Sequence, residues 1–226
     1  MTNRSTIYTA IAYANAKPHL GHAYEYVLAD CIARYRKLIG NEVFFCTGMD
    51  EHGQKIYNKA VAEGKTAQEL VDEIGETFKS LDTMLEVKYD RFIKTTDKDH
   101  KVVVQDLWNK MLNNGDIFEK EYSGLYCVGC ESYKKADELD AEGKCLIHLT
   151  KAEELKGKNW FFRLSRYQDI LKEKIEKDEI NILPKNFKTE ILSFIEQGLE
   201  DISFSRPKEV LTWGIDVPND PTHVMY

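Results

Sequence analysis

Cys127-Val128-Gly129-Cys130 is followed, after fourteen residues, by Cys145-Leu146-Ile147-His148. Two pairs of ligand-type residues, each pair separated by two others, let two turns face a single tetrahedral ion, and a set of three thiolates and one imidazole suits zinc. No other feature limits the fold so strongly. Between residues 117 and 149 the chain consists of short strand-like runs and turns, too small to build an apolar core, so a bound metal supplies the missing stability. With all four positions filled by protein, the site is structural and leaves no place for a catalytic water. Gly129 fits a turn that needs positive φ. The plainer alternative is three buried cysteines and an unrelated histidine. Five cysteines are an odd number, and their spacing favours a metal over disulfides, which points to a reducing compartment and a cytoplasmic location.

Around this segment the chain reads as an ordinary globular sequence, and its 226 residues suffice for one large or two small domains. A net charge of -7 argues against a surface that is basic throughout, although a local basic groove is compatible with it. No run of apolar residues is long enough to span a membrane, so no membrane partner is expected.

Strand and helix alternate through the first half. STIYTAIA, residues 5–12, reads as a buried strand that ends in a polar loop. Tyr24, Val27, Leu28, Cys31, Ile32, Tyr35 and Ile39 then recur at steps of three and four, the signature of an amphipathic helix capped by Gly40. EVFFCT gives a second strand, TGMDEHG a glycine-bounded loop, and residues 54–63 a helix. Thr66 and Glu69 form a capping-box pair that opens another helix. A weak strand at 89–92 and a helix over 97–112 complete the pattern of a nucleotide-binding α/β layer. From residue 116 the character changes. After the cysteine segment, WFF leads into a helix carrying Leu164, Tyr167, Ile170, Leu171 and Ile175; Pro184 breaks it, a helix follows over 187–197, and ISFSRP reads as a strand. TWGIDVPNDPTHVMY is loop-like until its last residues.

Two loops hold candidate chemistry. His19 and His22 flank Leu20 and Gly21 where the first strand meets the first helix, and a helix N-terminus favours an anion. Imidazoles can donate to that anion, and Gly21 allows a flat base to approach the backbone; loop histidines without a ligand are the alternative. At the end of the second strand, Gly48-Met49-Asp50-Glu51-His52-Gly53 gathers two carboxylates and a histidine on the side where open α/β sheets bind ligands. Such a group can hold an ammonium or a metal, or it can be a solvated turn.

The stretches TAIAYANAKPHLGH, EVFFCTGMDEHGQKI, YSGLYCVGC, NWFFRLSRYQ and WGIDVPNDPTHVMY resemble the methionyl-tRNA synthetase family, class I aminoacyl-tRNA synthetases, over nearly the whole chain. Leucyl, isoleucyl and valyl enzymes share the HLGH signature but carry a much larger editing insertion than residues 116–214 can hold. The resemblance implies a Rossmann-like parallel sheet, of which this chain holds the first half, with an inserted zinc-knuckle connective-peptide domain. Residues 1–115 would form the first half of the catalytic domain, 116–214 the insertion, and 215–226 the start of the return. It also implies that methionine, ATP with its magnesium, and tRNA(Met) are the partners. His19, Gly21 and His22 take the catalytic role against adenosine and triphosphate. Ala10, Ile11 and Tyr13 line the methionine pocket, Asn15 belongs to the same ligand-binding set, and Asp50 holds the α-amino group. Cys127, Cys130, Cys145 and His148 match a single knuckle with histidine as the last ligand.

The sequence departs from the family pattern in places. Ala12 stands where many relatives have proline, and Met49 replaces a smaller residue, which is expected to narrow the pocket floor. The strand with the pocket tryptophan, the lysine-rich loop and the anticodon-binding domain have no counterpart in these residues, so the 226 residues by themselves are expected to be inactive. The two readings are a fragment of a methionine–tRNA ligase and a truncated, non-catalytic paralogue that binds tRNA or protein. Homo-oligomerisation is not legible.

Overall fold

The computed structural model describes residues 3–130 and 132–226. Its first part is a parallel α/β layer: β1 (Arg4–Tyr8), β2 (Ala12–Tyr13), α1 (Leu20–Leu38), β3 (Glu42–Asp50), α2 (Gln54–Ala62), α3 (Ala67–Leu85), β4 (Arg91–Lys94) and α4 (Lys98–Asn113). β3 is central. β1 and β2 lie along one of its edges and β4 along the other, all parallel, which gives a Rossmann-like sheet.

The strand expected over residues 5–12 is interrupted at 9–11, and its register to β3 slips by one residue, from Tyr8 opposite Cys46 to Ala12 opposite Met49. Local bonds hold the break. Thr9 shares a hydrogen bond with Thr47 (2.7 Å between hydroxyls), and the Ala10 amide donates to the Glu25 carboxylate of α1 at 2.8 Å. β3, in contrast, runs further than EVFFCT and carries Gly48, Met49 and Asp50 within the sheet. Gly48 is what the close pairing with β4 requires, since a Cβ there would lie 2.0 Å from the Ile93 carbonyl oxygen.

α1 forms where its periodicity predicts, but a different face packs. Tyr26, Ala29, Asp30 and Ala33 are buried, while Tyr24, Leu28, Ile32 and Tyr35 remain exposed. Small Ala29 and Ala33 let the helix sit close to the layer. Asp30 tolerates burial because it pairs with Arg34 at 2.5 Å and accepts from the Lys88 amide at 3.1 Å. α3 begins with the capping box that Thr66 and Glu69 predict: the Thr66 hydroxyl accepts from the Glu69 amide, and the Glu69 carboxylate accepts from the Thr66 amide. The core of the layer gathers Tyr26, Phe45, Met49, Ile56, Val71 and Phe78.

The second part is antiparallel. β5 (Ile117–Cys127), β6 (Ser132–Lys134), β7 (Glu153–Phe162) and β8 (Ile202–Ser203) form a sheet in the order β6-β5-β7-β8. Where short strands are expected, β5 is a single eleven-residue strand, paired with β7 from Ile117 opposite Phe162 to Tyr126 opposite Glu153. WFF closes β7, and the helix after it, α5 (Gln168–Glu176), starts one 3-10 turn later. α5 packs on α6 (Lys185–Glu196) through Ile175, Ile195 and Leu199. The last segment is more regular than a loop. β10 (Ile215–Val217) and β11 (Asp220–Met225) make a hairpin, and β11 pairs on its other side with β9 (Ser205–Pro207). Trp108 of α4 joins the two parts, packing with Ile117, Ile215, Val217 and Met225. Among the described residues no helix is long and apolar enough to cross a membrane.

Candidate functional site

Two neighbouring structures form at the C-terminal end of the parallel strands. The first is the N-terminus of α1. His19 is its N-cap; its Nδ1 accepts from the Gly21 amide at 3.1 Å, and His22 Nδ1 accepts from the His19 amide at 3.2 Å. The two rings stack with centroids 3.9 Å apart, and His22 meets the edge of Phe78 at 5.0 Å. Gly21 serves this arrangement, because a Cβ would stand 2.9 Å from His19 Cε1. The His19 ring thus packs beside the Gly21 backbone. Burial, and then the neighbouring His19, push the His22 pKa below its ordinary value, against a smaller upward pull from Glu25. Both Nδ1 atoms act as acceptors, so each neutral ring carries its proton on Nε2. The pair offers two neutral N–H donors.

The second structure is the junction of β2 and β3. Parallel register sets Tyr13 opposite Asp50, and the Ala14 amide donates to the Asp50 carbonyl at 2.8 Å. Asn15 follows, its carbonyl accepting from Lys59 Nζ at 2.6 Å. Ile11 is partly exposed in the strand break, beside the anchored Ala10. Met49 and Asp50 point to opposite faces of the sheet. Met49 is fully buried against Gly75 of α3, so it fills the core and does not narrow the space beside Asp50.

Asp50 opens onto a cavity of about 210 Å³ whose apolar wall includes Val104, Leu107, Met111 and Phe204 and whose polar members are His52, Thr95 and His100. His52 is buried, with its ring 5.3 Å from that of Trp213, and burial lowers its pKa to about 4. Among the described residues its Nε2 has no hydrogen-bond partner. Glu51 turns the opposite way, into the protein, towards Lys94. Glu51 thus diverges from Asp50 and His52, which line the same cavity. The metal-holding alternative for this loop finds no support, since among the described residues only the Cys127 cluster groups metal-ligating atoms. Sequence reasoning assigned no task to Thr95, Thr96, His100 or Trp213, which come from elements distant in sequence.

Cys127 ends β5, Cys130 lies in the turn before β6, and Cys145 and His148 lie in the segment between β6 and β7. The four ligand atoms of Cys127, Cys130, Cys145 and His148 lie within 4.8 Å of one another. Cys130 Sγ is 3.6 Å from Cys145 Sγ and 3.2 Å from His148 Nδ1, and Cys127 Sγ is 3.8 Å from that Nδ1. A zinc tetrahedron with ordinary bond lengths has edges of about 3.5–3.8 Å, so the donor set fits the ion in type and spacing. Backbone amides of His148 and Ile147 donate to Cys145 and lower its pKa to about 6, favouring the thiolate. Gly129 is required for a reason other than the one expected. It is not among the residues with positive φ; instead, a Cβ there would lie 2.5 Å from His148 Cγ.

Residues 5–145 and 134–226 match the family model of class I tRNA synthetases (M). The methionine–tRNA ligase of Nostoc is 43% identical over 219 residues, 96% of this chain and 41% of that protein. The chloroplastic/mitochondrial methionine–tRNA ligase of Arabidopsis thaliana is 40% identical over 218 residues, 96% of this chain and 35% of its own. Among solved structures, Mycobacterium tuberculosis methionyl-tRNA synthetase in complex with methionyl-adenylate matches all of this chain and 44% of its own, with a TM-score of 0.92 and 38% identity. The chain spans about two fifths of the length of these relatives.

Proposed function

Because the chain belongs to the class I tRNA synthetase (M) family, we propose that it is the methionine- and ATP-binding part of a methionine–tRNA ligase. The observation that carries this reading is the register that sets Tyr13 against Asp50 immediately before the paired histidines of α1. One strand end thereby serves both an amino acid and a triphosphate. The reaction follows from that division. The methionine carboxylate attacks the α-phosphorus of ATP, pyrophosphate leaves with its magnesium, and a terminal hydroxyl of tRNA(Met) later takes the acyl group from AMP. Positioning and stabilisation of phosphate charge do most of the work, and no titrating base is needed for the first step.

Each residue has a matching task. Asp50 pairs with the ammonium of methionine, while Ala10, Ile11 and Tyr13 enclose its thioether, which needs shape and polarizable contact. Asn15, fixed through its carbonyl by Lys59, borders the same pocket. His19 and His22 hold their Nε2 protons ready for phosphate oxygens, and Gly21 permits the ring arrangement that does so. Cys127, Cys130, Cys145 and His148 would hold a zinc ion that supplies folding energy to the turns between β5 and β7. The division into residues 1–115, 116–214 and 215–226 agrees with the change from parallel to antiparallel pairing, and the ladder of β9 with β11 ties the last two segments together.

Methionine-dependent exchange of pyrophosphate into ATP by the full-length polypeptide tests the reading. Asp50→Ala is expected to weaken use of methionine by roughly 2–5 kcal/mol, the loss typical of one partner of a desolvated charge pair. Normal exchange at low methionine in that variant would assign the ammonium to another group. Aminoacylation of tRNA(Met) tests the second step.

A further inference from the structure

β11 is tied to the antiparallel sheet by a buried acid–imidazole pair that the chemistry at Asp50 and α1 does not use. His223 of β11 is 8% exposed, and its Nε2 lies 2.8 Å from the Lys158 carbonyl oxygen of β7. A carbonyl only accepts, so Nε2 carries a proton. Nδ1 lies 2.9 Å from the Asp220 carboxylate and 2.9 Å from the Thr222 hydroxyl oxygen. The Thr222 hydroxyl donates its own proton to the other Asp220 oxygen at 2.5 Å, so Nδ1 also faces acceptors and carries a proton. Asp220 meets only donors: the Thr222 amide and hydroxyl at Oδ1, and the imidazole with the Trp160 indole N–H of β7 at Oδ2. Burial pushes its pKa up, but the bonds from Thr222 and Trp160 outweigh this and hold the carboxyl below its ordinary range. The cations of the flanking segments are directed elsewhere. Lys158 pairs with Glu119 at 3.9 Å and Lys208 with Asp216 at 2.7 Å, while Arg206 of β9 donates to the Ser205 carbonyl at 2.7 Å. Among the described residues the ion pair of the His223 ring is with Asp220.

We propose that His223 is a positioning residue for the ligand cavity: held as an imidazolium between Asp220 and the Lys158 carbonyl, it latches β11 to β7 and so sets where Met225 and Tyr226 stand in the cavity wall. Both residues follow it on the chain and line the cavity together with Ile215, which pairs with Met225 across the hairpin. Loss of either ring proton would set a bare nitrogen against the carboxylate or the carbonyl, and a buried meeting of two acceptors is unfavourable. The latch therefore weakens when the ring becomes neutral. The inference rests on the reading that methionine occupies this cavity.

The test uses the full-length polypeptide that carries this segment, with its histidines labelled with nitrogen-15. At pH 7 the ring of His223, assigned by the signal that disappears in His223→Gln, is expected to show protons on both nitrogens in the wild type and on one in Asp220→Asn. Pyrophosphate exchange, measured against methionine and separately against ATP, reads the coupling to the cavity. Asp220→Asn keeps the shape and removes the charge. It should raise methionine KM roughly threefold to tenfold and leave ATP KM within about twofold of wild type, since a displaced wall weakens positioning of one ligand only. As pH rises and the wild-type ring gives up its second proton, wild-type methionine KM should climb to meet that of Asp220→Asn. A wild-type ring with a single proton at pH 7 overturns the inference, whether or not Asp220→Asn folds. So does an unchanged methionine KM in the folded variant. A parallel loss in kcat and both KM values that tracks a lowered melting temperature, with a constant ratio across pH, also overturns it, because a purely structural tie predicts that outcome. Wild-type polypeptide with the doubly protonated ring but without methionine-dependent exchange would instead bring down the functional reading, and the inference with it.

Discussion

At His52 a single imidazole ties stability to pH. Burial is the main reason that its pKa falls to about 4 from an ordinary 6.5, with Lys101 and His100 adding to the effect. A histidine with a depressed folded pKa binds protons more readily when the chain is unfolded. Its contribution is therefore complete above about pH 6.5 and is lost as pH falls towards 4, to an extent of about 3 kcal/mol. Urea unfolding at pH 7 and pH 4.5 should show that His52→Gln removes about 2–3 kcal/mol of the acid-induced loss. Glu51, whose pKa burial raises, works in the opposite direction, and His22 and His100 in the same one, but all three are common to both proteins and cancel in the comparison. Equal acid losses in the two proteins would mean that His52 is not buried as the neutral form. Asp50, His19 and His22 could be nominated from contiguous motifs. The hydrogen bond from Thr96 to Glu51 could not be foreseen, since the hydroxyl comes 45 residues later and only the register of β3 with β4 brings the two together.

Among the elements, the cysteine–histidine cluster was the most legible and its detail the least. Spacing identified Cys127, Cys130, Cys145 and His148 as a set, and their atoms do converge. Spacing could not show that Gly129 matters as room for the His148 ring rather than for its φ, because that contact crosses from one pair to the other. Gly129→Ala should accordingly act on the metal. Protein purified without added metal is expected to hold close to one zinc per chain in the wild type and clearly less in the variant, by elemental analysis. Amide exchange should rise mainly in residues 127–148, the part to which a bound ion would supply folding energy. Full zinc occupancy in Gly129→Ala would show that the ring has another place to go. α1 failed in an instructive way: periodicity measures where apolar side chains recur, whereas packing against the sheet chose the side with Ala29 and Ala33, which permit close approach.

On the scale of the molecule, that choice leaves α1 with an uncovered apolar stripe. Tyr24, Leu28, Ile32 and Tyr35 follow one another at steps of three and four, and Tyr24 and Tyr35 are 69% and 59% exposed. Among the described residues β1 is hydrogen-bonded only on its β3 side, so an open parallel edge accompanies the stripe. Contiguous apolar surface of this kind is rare on monomers and drives association when nothing covers it. The 226-residue chain, purified alone, is therefore expected to self-associate across roughly 1–100 µM, in the range where exposed strand edges and apolar faces aggregate. Sedimentation velocity reads this directly as a weight-average mass that grows with concentration. The double substitution Leu28→Glu, Ile32→Lys alters two exposed positions and should cost little stability, yet it should return the chain towards the monomer mass. A wild-type chain that stays at 26.2 kDa throughout the range would show that the stripe and the open edge are too weak to bring copies together.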